Sequence, residues 1–269
     1  MQERQIKEKI KERYGKIALT GTKICCAPTI EFDNKNKSGS SCCCSPTPTD
    51  SATAIGYDKE ELESIPQASV LGVGCGAPLY HAGVKEGETV VDLGSGAGID
   101  VFLSANKVGD SGKVIGIDMT DEMLEKARSN AKENGYTNVE FRKGDIEKRI
   151  PVDDNSVDLV ISNCVINLTT SKVDTFKEVH RILKQGQGRM VISDLIRDKE
   201  VHRDSVDSEK WCSCIDGALT KENYLESIRN AGFKNLEILD EKLYIQEERD
   251  NKVDSEKRIS SIVVKAVKD

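Results

Sequence analysis

Three of the nine cysteines in this 269-residue chain stand in short segments that are typical of binding loops. Cys75 lies between two glycines in VGCGAP, Cys164 lies in SNCVINL, and Cys214 closes the segment WCSC. Thiolates are soft ligands that prefer thiophilic ions, and an odd number of cysteines favours metal binding or catalysis over a disulfide framework. For Cys164 taken alone, the alternative of a small buried hydrophobic residue stays open.

A glycine-rich segment, DLGSGAG, indicates a second site, which would bind a nucleotide-like cofactor. Gly94, Gly96 and Gly98 follow Asp92 with the spacing G-x-G-x-G, whereas dinucleotide-binding loops have the spacing G-x-G-x-x-G. Glycines in such a loop allow a tight turn and a close approach of the backbone to a ligand. An NAD-binding oxidoreductase is therefore the less favoured alternative.

Further residues of this cofactor site are expected at the ends of the next strands. Asp118 ends an apolar run in GIDMT, where a carboxylate can accept hydrogen bonds from ribose hydroxyls. Asp145 ends the following run in KGD, where its side chain can accept from an adenine amino group. We expect Met119 to pack on the adenine, and Ile146 and Asn163 to complete the site.

The elements that must position these residues alternate between strand and helix from residue 88 onward. Short apolar runs predict buried strands, and amphipathic periodicity predicts the helices between them. The predicted strands are residues 89–94, 113–118, 138–145, 157–163, 188–194 and 259–267, and the predicted helices are residues 97–108, 121–135, 171–184 and 220–231. Repeated βα units predict a Rossmann-like α/β fold, with a doubly wound, mostly parallel sheet and a late antiparallel strand.

The N-terminal part is organised differently. Its apolar residues recur at helical spacing, which predicts an amphipathic helix; they are Ile6, Ile10, Tyr14 and Ile17. Residues 33–53 have the composition of a loop or linker. We predict that residues 1–54 form a helix and a cysteine-rich flexible segment, and that residues 55–269 form the catalytic domain with short C-terminal elements of the acceptor site. A thiol-bearing arm that reaches the active site is the alternative role for the linker.

Composition excludes several classes of partner. The formal net charge of −7 argues against nucleic acid, because phosphate binding normally requires clusters of Lys and Arg. No apolar run approaches the ~20 residues needed to cross a bilayer, and the N-terminus has no secretory apolar region. We therefore expect a cytoplasmic monomer with a small-molecule substrate and with neither a nucleic-acid nor a membrane partner.

The glycine loop and the acids at successive strand ends together resemble the class I methyltransferases that use S-adenosylmethionine. The resemblance covers roughly residues 85–195. It implies S-adenosylmethionine in the crevice at the strand ends, with Asp92 near the amine of its methionine part. Glycines and acids that merely cap helices are the structural alternative.

The methyl acceptor must lie near the carboxyl end of the fourth strand, which borders the methyl group in this fold, so Cys164 is expected to face the cofactor. An oxygen or carbon acceptor commonly needs a base to take its proton, and none of His81, His180 and His202 lies in the segments described above. Trivalent arsenic needs no base, because it binds three thiolates and attacks the methyl group with its own lone pair.

A closer resemblance, to arsenite methyltransferases, runs from about residue 55 to residue 233. It is carried by GYDKEELESIP, GCGAP, DLGSGAGID, GIDMT, SNCVINL and the GAL stretch that follows a cysteine. The resemblance implies that Cys75, Cys164 and Cys214 hold the arsenic. It also implies stepwise methyl transfer to arsenite or its thiol conjugate, with a thiol reductant, thioredoxin or glutathione, as co-substrate.

The chain departs from that family in its other cysteines. Cys212 forms a C-x-C pair with Cys214 and offers either an alternative ligand or no function. A residue of the triplet Cys42–Cys44 can supply the additional N-terminal thiol of better-known members, and Cys25 and Cys26 form an extra arsenic trap or have no role. Larger members also carry a long C-terminal domain.

Two other functions compete with arsenic methylation. The nearer one is a methyltransferase for a small organic acceptor, such as a quinone or a sterol, which shares the fold but not the thiol site. The other is a non-catalytic regulator that binds a metalloid or zinc. Structural zinc sites usually contain C-x-x-C pairs, and the sequence has none.

Overall fold

The computed structural model describes residues 3–21, 47–200, 211–212, 214–245, 248–249, 252–253 and 258–269. The linker cysteines lie outside these ranges, so the alternatives stated for them stay predictions; they are Cys25, Cys26, Cys42, Cys43 and Cys44. Within the described ranges, no helix combines the length and the apolar character that crossing a membrane requires.

Helices and strands alternate once the helical N-terminal part has ended. The helices are α1 (Glu3–Thr20), α2 (Pro48–Ala54), α3 (Lys59–Glu63), α4 (Leu79–Ala82), α5 (Ile99–Val108), α6 (Asp121–Glu133), α7 (Lys172–Ile182) and α8 (Lys221–Asn230). The strands are β1 (Thr89–Leu93), β2 (Lys113–Asp118), β3 (Val139–Lys143), β4 (Leu159–Asn163), β5 (Arg189–Arg197), β6 (Leu219–Thr220), β7 (Asn235–Ile245), β8 (Glu248–Arg249), β9 (Lys252–Val253) and β10 (Ile259–Val267). Every strand and helix predicted between residues 89 and 267 is present, with ends shifted by a few residues at most.

One sheet carries most of these strands, in the order β3-β2-β1-β4-β5-β10-β7, with β6 paired to β5. Strands β1 to β5 are parallel to one another, and β10 runs antiparallel between β5 and β7. The predicted doubly wound sheet with a late antiparallel strand is therefore confirmed. The strand order reverses beside β1, and ligands of open α/β sheets bind in the crevice at that point.

The central strands are apolar because helices cover both of their faces. In β1, Val90, Val91 and Leu93 are all fully buried, with Val90 in one core cluster and the other two in a second cluster. Burying one such side chain contributes about 1.5–3 kcal/mol. Parallel strands therefore appear as continuous apolar runs, and this is the pattern that predicted them.

Helix α2 corrects the prediction of a linker over residues 33–53. Thr47 accepts a hydrogen bond from the Asp50 N–H, and the Asp50 carboxylate accepts one from the Thr47 N–H, which completes a capping box. Pro48 occupies the first turn, where its missing N–H costs nothing. The polar, proline-containing segment that suggested a linker therefore contains the start of a short helix at its C-terminal end. Residues 33–46 lie outside the described ranges.

Helix α1 confirms the prediction from the N-terminal periodicity, and it packs against α6. Ile6, Ile10 and Ile17 are buried. Ile17 packs with Ala97 of the glycine loop and Met123 of α6. The proposed division between residues 1–54 and residues 55–269 stays a prediction, but these contacts make α1 part of the core around the loop.

Replacing Ile17 by Ala should therefore destabilise the domain. Ile17 is 1% exposed, and such a substitution typically costs about 2–5 kcal/mol. Urea unfolding monitored by circular dichroism would measure the free energy of unfolding. Leu19→Ala is the matched control, because Leu19 is 76% exposed on the same helix and should change stability by less than about 0.5 kcal/mol. Equal stability of the two variants would mean that α1 contributes nothing to the cooperative unit.

Candidate active site

A cleft that is open to solvent lies at the carboxyl ends of the parallel strands. Eight of the nine predicted cofactor residues line it: Asp92, Gly94, Gly96, Asp118, Met119, Asp145, Ile146 and Asn163. Gly98 is not among the lining residues. It has a φ of 102° and precedes α5, and a Cβ there would lie 2.7 Å from the Phe102 ring, so Gly98 serves chain turning and packing.

The glycine loop is held against β2 by Asp118. One carboxylate oxygen of Asp118 accepts from the Gly96 N–H at 3.0 Å, and the other accepts from the Thr120 N–H at 2.8 Å. Gly94 and Gly96 have φ values of 68° and 51°, in the left-handed region that favours glycine. Burial raises the pKa of Asp118, while these hydrogen bonds oppose the shift. Each oxygen keeps acceptor capacity for a ribose hydroxyl.

Helix α1 covers one side of the cleft, which sequence reasoning did not anticipate. Lys7 lies 2.9 Å from an Asp145 carboxylate oxygen and 2.6 Å from one of Glu147. Burial lowers the pKa of Lys7, but the hydrogen bonds to Asp145, Glu147 and Glu3 outweigh this effect and raise it. Helical periodicity shows that a helix has a buried face but not what covers that face, and the contact between Lys7 and Asp145 has no sequence signal.

Three cysteines from separate parts of the chain meet beside this cleft. The Sγ atoms of Cys75 and Cys164 and a carboxylate oxygen of Asp194 lie within 4.8 Å of one another. The thiol of Cys214 donates to the Cys164 carbonyl oxygen at 2.9 Å. The structure therefore brings together the three cysteines that the sequence singled out.

The backbone positions each of these thiols differently. The Cys75 N–H donates to the Asn163 side-chain oxygen at 3.1 Å. Cys164 directly follows β4, and its N–H donates to the Ser193 carbonyl at 2.8 Å. Cys164 and Cys214 have φ values of 59° and 66°, a region that non-glycine residues rarely adopt. Such strain concentrates at functional sites.

The surroundings of two of these thiols, Cys75 and Cys164, disfavour the charged form and raise their pKa values. Burial raises the pKa of the Cys75 thiol. Hydrogen bonding with the Cys214 and Cys75 thiols raises the pKa of Cys164 well above its ordinary value, and burial adds to this effect. A site of this kind binds a neutral molecule without first having to ionise.

Asp194 is a residue of this site that sequence reasoning missed. It is fully buried and accepts hydrogen bonds from the Asn167 N–H, the Leu195 N–H and the Tyr224 hydroxyl. Burial raises its pKa to about 7, against the opposing charge of Lys172. Its only sequence signal is its place at the end of a predicted strand, the same position that singled out Asp118 and Asp145.

Comparison with known proteins identifies the family. Residues 84–232 match the family model described as "Methyltransferase domain". The chain belongs to this methyltransferase family. The predicted fold class, a class I S-adenosylmethionine-dependent methyltransferase, is thereby confirmed.

The resemblance to arsenite methyltransferases is confirmed as well. The chain is similar to an arsenite methyltransferase of Halobacterium salinarum, with 40% identity over 235 residues, which cover 87% of this chain and 59% of that protein. It is also similar to the crystal structure of an arsenic(III) S-adenosylmethionine methyltransferase from Chlamydomonas reinhardtii, with 32% identity and a TM-score of 0.64, covering 84% of this chain and 75% of that one. The chain spans about half the length of the other curated arsenite methyltransferases that it matches.

A similarity to a demethylmenaquinone methyltransferase of Lactococcus lactis is shorter. It has 37% identity over 113 residues, which cover 42% of this chain and 44% of that protein. The alternative of an organic acceptor therefore has the weaker support.

Replacing Asp118 by Ala should weaken the binding of S-adenosylmethionine. A hydrogen bond to a charged group contributes about 1.5–3 kcal/mol, which corresponds to a loss of about 10- to 100-fold in affinity. Isothermal titration calorimetry measures it directly. Asp121→Ala is the control, because Asp121 begins α6 close by and its side chain is 64% exposed. If the Asp118 variant bound the cofactor as tightly as the wild type, the ribose would lie elsewhere.

Proposed function

We propose that this protein transfers methyl groups from S-adenosylmethionine to trivalent arsenic held by Cys75, Cys164 and Cys214. The observation that carries the proposal is the convergence of three thiols from distant parts of the chain at the edge of a methyltransferase cofactor cleft. The arsenic must lie close to the methyl group that it attacks. Two of its proposed ligands, Cys164 and Cys214, line the cleft.

The exchange by which the thiols capture arsenite needs no external base. Arsenous acid is neutral and carries three hydroxyl groups. Each thiol forms one sulfur–arsenic bond, and its proton leaves with a hydroxyl group as water, so three thiols release three waters. The raised pKa values of Cys75 and Cys164 suit this exchange, because each thiol must bring its own proton.

The residues around the thiols then position the reactants. The arsenic lone pair attacks the methyl carbon, the bond from that carbon to the sulfonium sulfur breaks, and arsenic becomes pentavalent. Holding reactants in attack geometry can supply about 7–11 kcal/mol of a barrier. Ile10 and Tyr14 of α1, together with Leu168, line the cleft with apolar surface on the side of the thiols and limit the access of water.

A second methyl transfer requires trivalent arsenic again. The two electrons come from a thiol reductant, which is oxidised to a disulfide. Thioredoxin and glutathione both have the chemistry for this role, and each stays a prediction. The monomeric state and the cytoplasmic location also stay predictions. The neutral cluster at Cys75 and Cys164 also favours arsenite over zinc, since zinc binds thiolates and would have to displace the thiol protons.

Replacing Cys164 by Ser should abolish arsenic methylation, with a loss of at least about 100-fold, because misplacing a reactant by about 1 Å already costs that much. Chromatography coupled to elemental mass spectrometry would quantify methylated arsenic after incubation with arsenite, S-adenosylmethionine and a thiol reductant. Cofactor affinity, measured on the same sample, reports whether the variant is folded.

The matched control for this experiment is Cys212→Ser. Cys212 is buried near Cys214, but it is the Cys214 thiol that contacts Cys164, by donating to its carbonyl oxygen. We expect this variant to keep most of the activity. A Cys164 variant that methylated arsenic at a rate close to that of the wild type would exclude the proposed ligand set.

Arsenite and zinc should differ in the protons that their binding releases. At pH 7, below the raised pKa values of the Cys75 and Cys164 thiols, arsenite binding should release no protons from these two residues, whereas zinc must displace them. Calorimetric titration in two buffers with different ionisation enthalpies would therefore give equal heats for arsenite and unequal heats for zinc. Tight zinc binding without affinity for S-adenosylmethionine would favour the non-catalytic regulator.

A further inference from the structure

The thiol site has an open side and a closed side, and Asp194 lies on the closed side. Cys164 and Cys214 line the cleft, whereas Cys75 and Asp194 are buried and are not among its lining residues. A carboxylate oxygen of Asp194 and the Sγ atoms of Cys75 and Cys164 lie within 4.8 Å of one another. The open side therefore presents two thiols, and the closed side presents one thiol and one carboxyl group.

The carboxyl group of Asp194 is held firmly but keeps spare hydrogen-bonding capacity. Its Oδ2 atom accepts from the Asn167 N–H at 3.1 Å and from the Tyr224 hydroxyl at 3.2 Å. Among the described residues, Oδ1 accepts one hydrogen bond, from the Leu195 N–H at 3.1 Å. A carboxylate oxygen can accept two. A buried oxygen with this capacity beside two thiols favours a substrate that brings its own donor hydrogen.

Arsenous acid has three hydroxyl groups, and the two sides of the site treat them differently. Arsenic that arrives from the cleft meets Cys164 and Cys214 first. Each of these exchanges forms a sulfur–arsenic bond and releases one water. The third hydroxyl then faces the closed side, beside Cys75 and Asp194. Burying a hydroxyl group without a hydrogen-bond partner is costly, and Asp194 supplies the partner.

We propose that Asp194 binds the last hydroxyl group of arsenite while Cys75 displaces it. The sulfur of Cys75 bonds to arsenic, the arsenic–oxygen bond breaks, and the thiol proton leaves with the hydroxyl group as water, so arsenic stays trivalent. The contact forms in either protonation state of Asp194, because a neutral carboxyl group donates to the hydroxyl oxygen instead. The inference rests on the proposed function and assigns the site a preference for arsenite over methylated trivalent arsenic.

Methylarsonous acid separates this contact from thiol binding. It carries two hydroxyl groups and one methyl group. Once Cys164 and Cys214 have replaced both hydroxyl groups, a methyl group occupies the place of the third hydroxyl, and it cannot donate to Asp194. The affinity for arsenite should therefore depend on Asp194, whereas the affinity for methylarsonous acid should not.

The test uses Cys75→Ser, in which arsenite stays bound to two thiols and keeps its third hydroxyl. Adding Asp194→Asn should lower the affinity for arsenite about 5- to 100-fold and should lower that for methylarsonous acid by no more than about twofold. Trp211 is the only tryptophan of the chain and packs against the cluster that contains the thiols. Its fluorescence would follow both titrations, with no competing thiol present.

Two further variants make the test decisive. Asp198→Asn removes the same charge from an exposed residue and should leave both affinities unchanged. Tyr224→Phe keeps the buried ring and removes one donor to Asp194; we expect a smaller loss, about 2- to 10-fold, again confined to arsenite. Affinity for S-adenosylmethionine reports folding, and Tyr224→Phe decides the question if the Asp194 variant does not fold.

Unchanged arsenite affinity in the folded Asp194 variant, or an equal loss for both arsenicals, would overturn the inference. The proposed function would stand in that case, because the thiols would still bind methylarsonous acid. A wild-type protein that bound S-adenosylmethionine but neither arsenical would overturn the proposed function as well.

Discussion

The side chain of Asn163 joins the two halves of the site, and the arrangement of the rest depends on it. Its amide nitrogen donates to the Tyr57 hydroxyl and to the Gly76 carbonyl, and its oxygen accepts from the Cys75 N–H. Cys75 precedes Asn163 by 88 residues, so this one amide sets the distance between the first thiol and the thiol of Cys164, the next residue along the chain. Buried polar networks that are fully satisfied specify one geometry, and a trithiol site needs one geometry.

The backbone at Cys164 and Cys214 shows that this geometry has a cost. A non-glycine residue in the left-handed region costs about 1–3 kcal/mol and persists only where its surroundings hold it there. At Cys164 the hydrogen bond from its N–H to Ser193 provides such a constraint, and the Cys214 thiol adds a second one through the Cys164 carbonyl. Glycine at these positions would remove the strain but also the thiol, so the strain follows from the need for sulfur.

The sequence predicted the parallel strands of the sheet. It did not predict the edge strand β7 or the position of helix α1 over the cleft. Strands β1, β2 and β4 are buried on both faces and therefore stand out as apolar runs before glycine or polar residues. Strand β7 was missed because it lies at the edge of the sheet, where Ile238 and Leu243 are 39% and 52% exposed and charged residues interrupt the pattern. The three thiols could be singled out by their motifs, whereas the neighbours Asp194, Tyr57 and Lys7 depend on tertiary contacts that periodicity does not encode.

The sign of the charges in the cleft fits the direction of the reaction. Asp92 and Asp100 are buried carboxylates that line the cleft, and the partly buried Asp118 lines it as well. S-adenosylmethionine carries a sulfonium and an ammonium. Transfer of the methyl group turns the sulfonium into a neutral thioether, so the spent cofactor loses one of its two attractions to these acids. In a low-dielectric site each such attraction is strong. With the cofactor placed as proposed, these carboxylates would hold the demethylated product less tightly than the methyl donor, which would favour exchange of the cofactor between methylation steps.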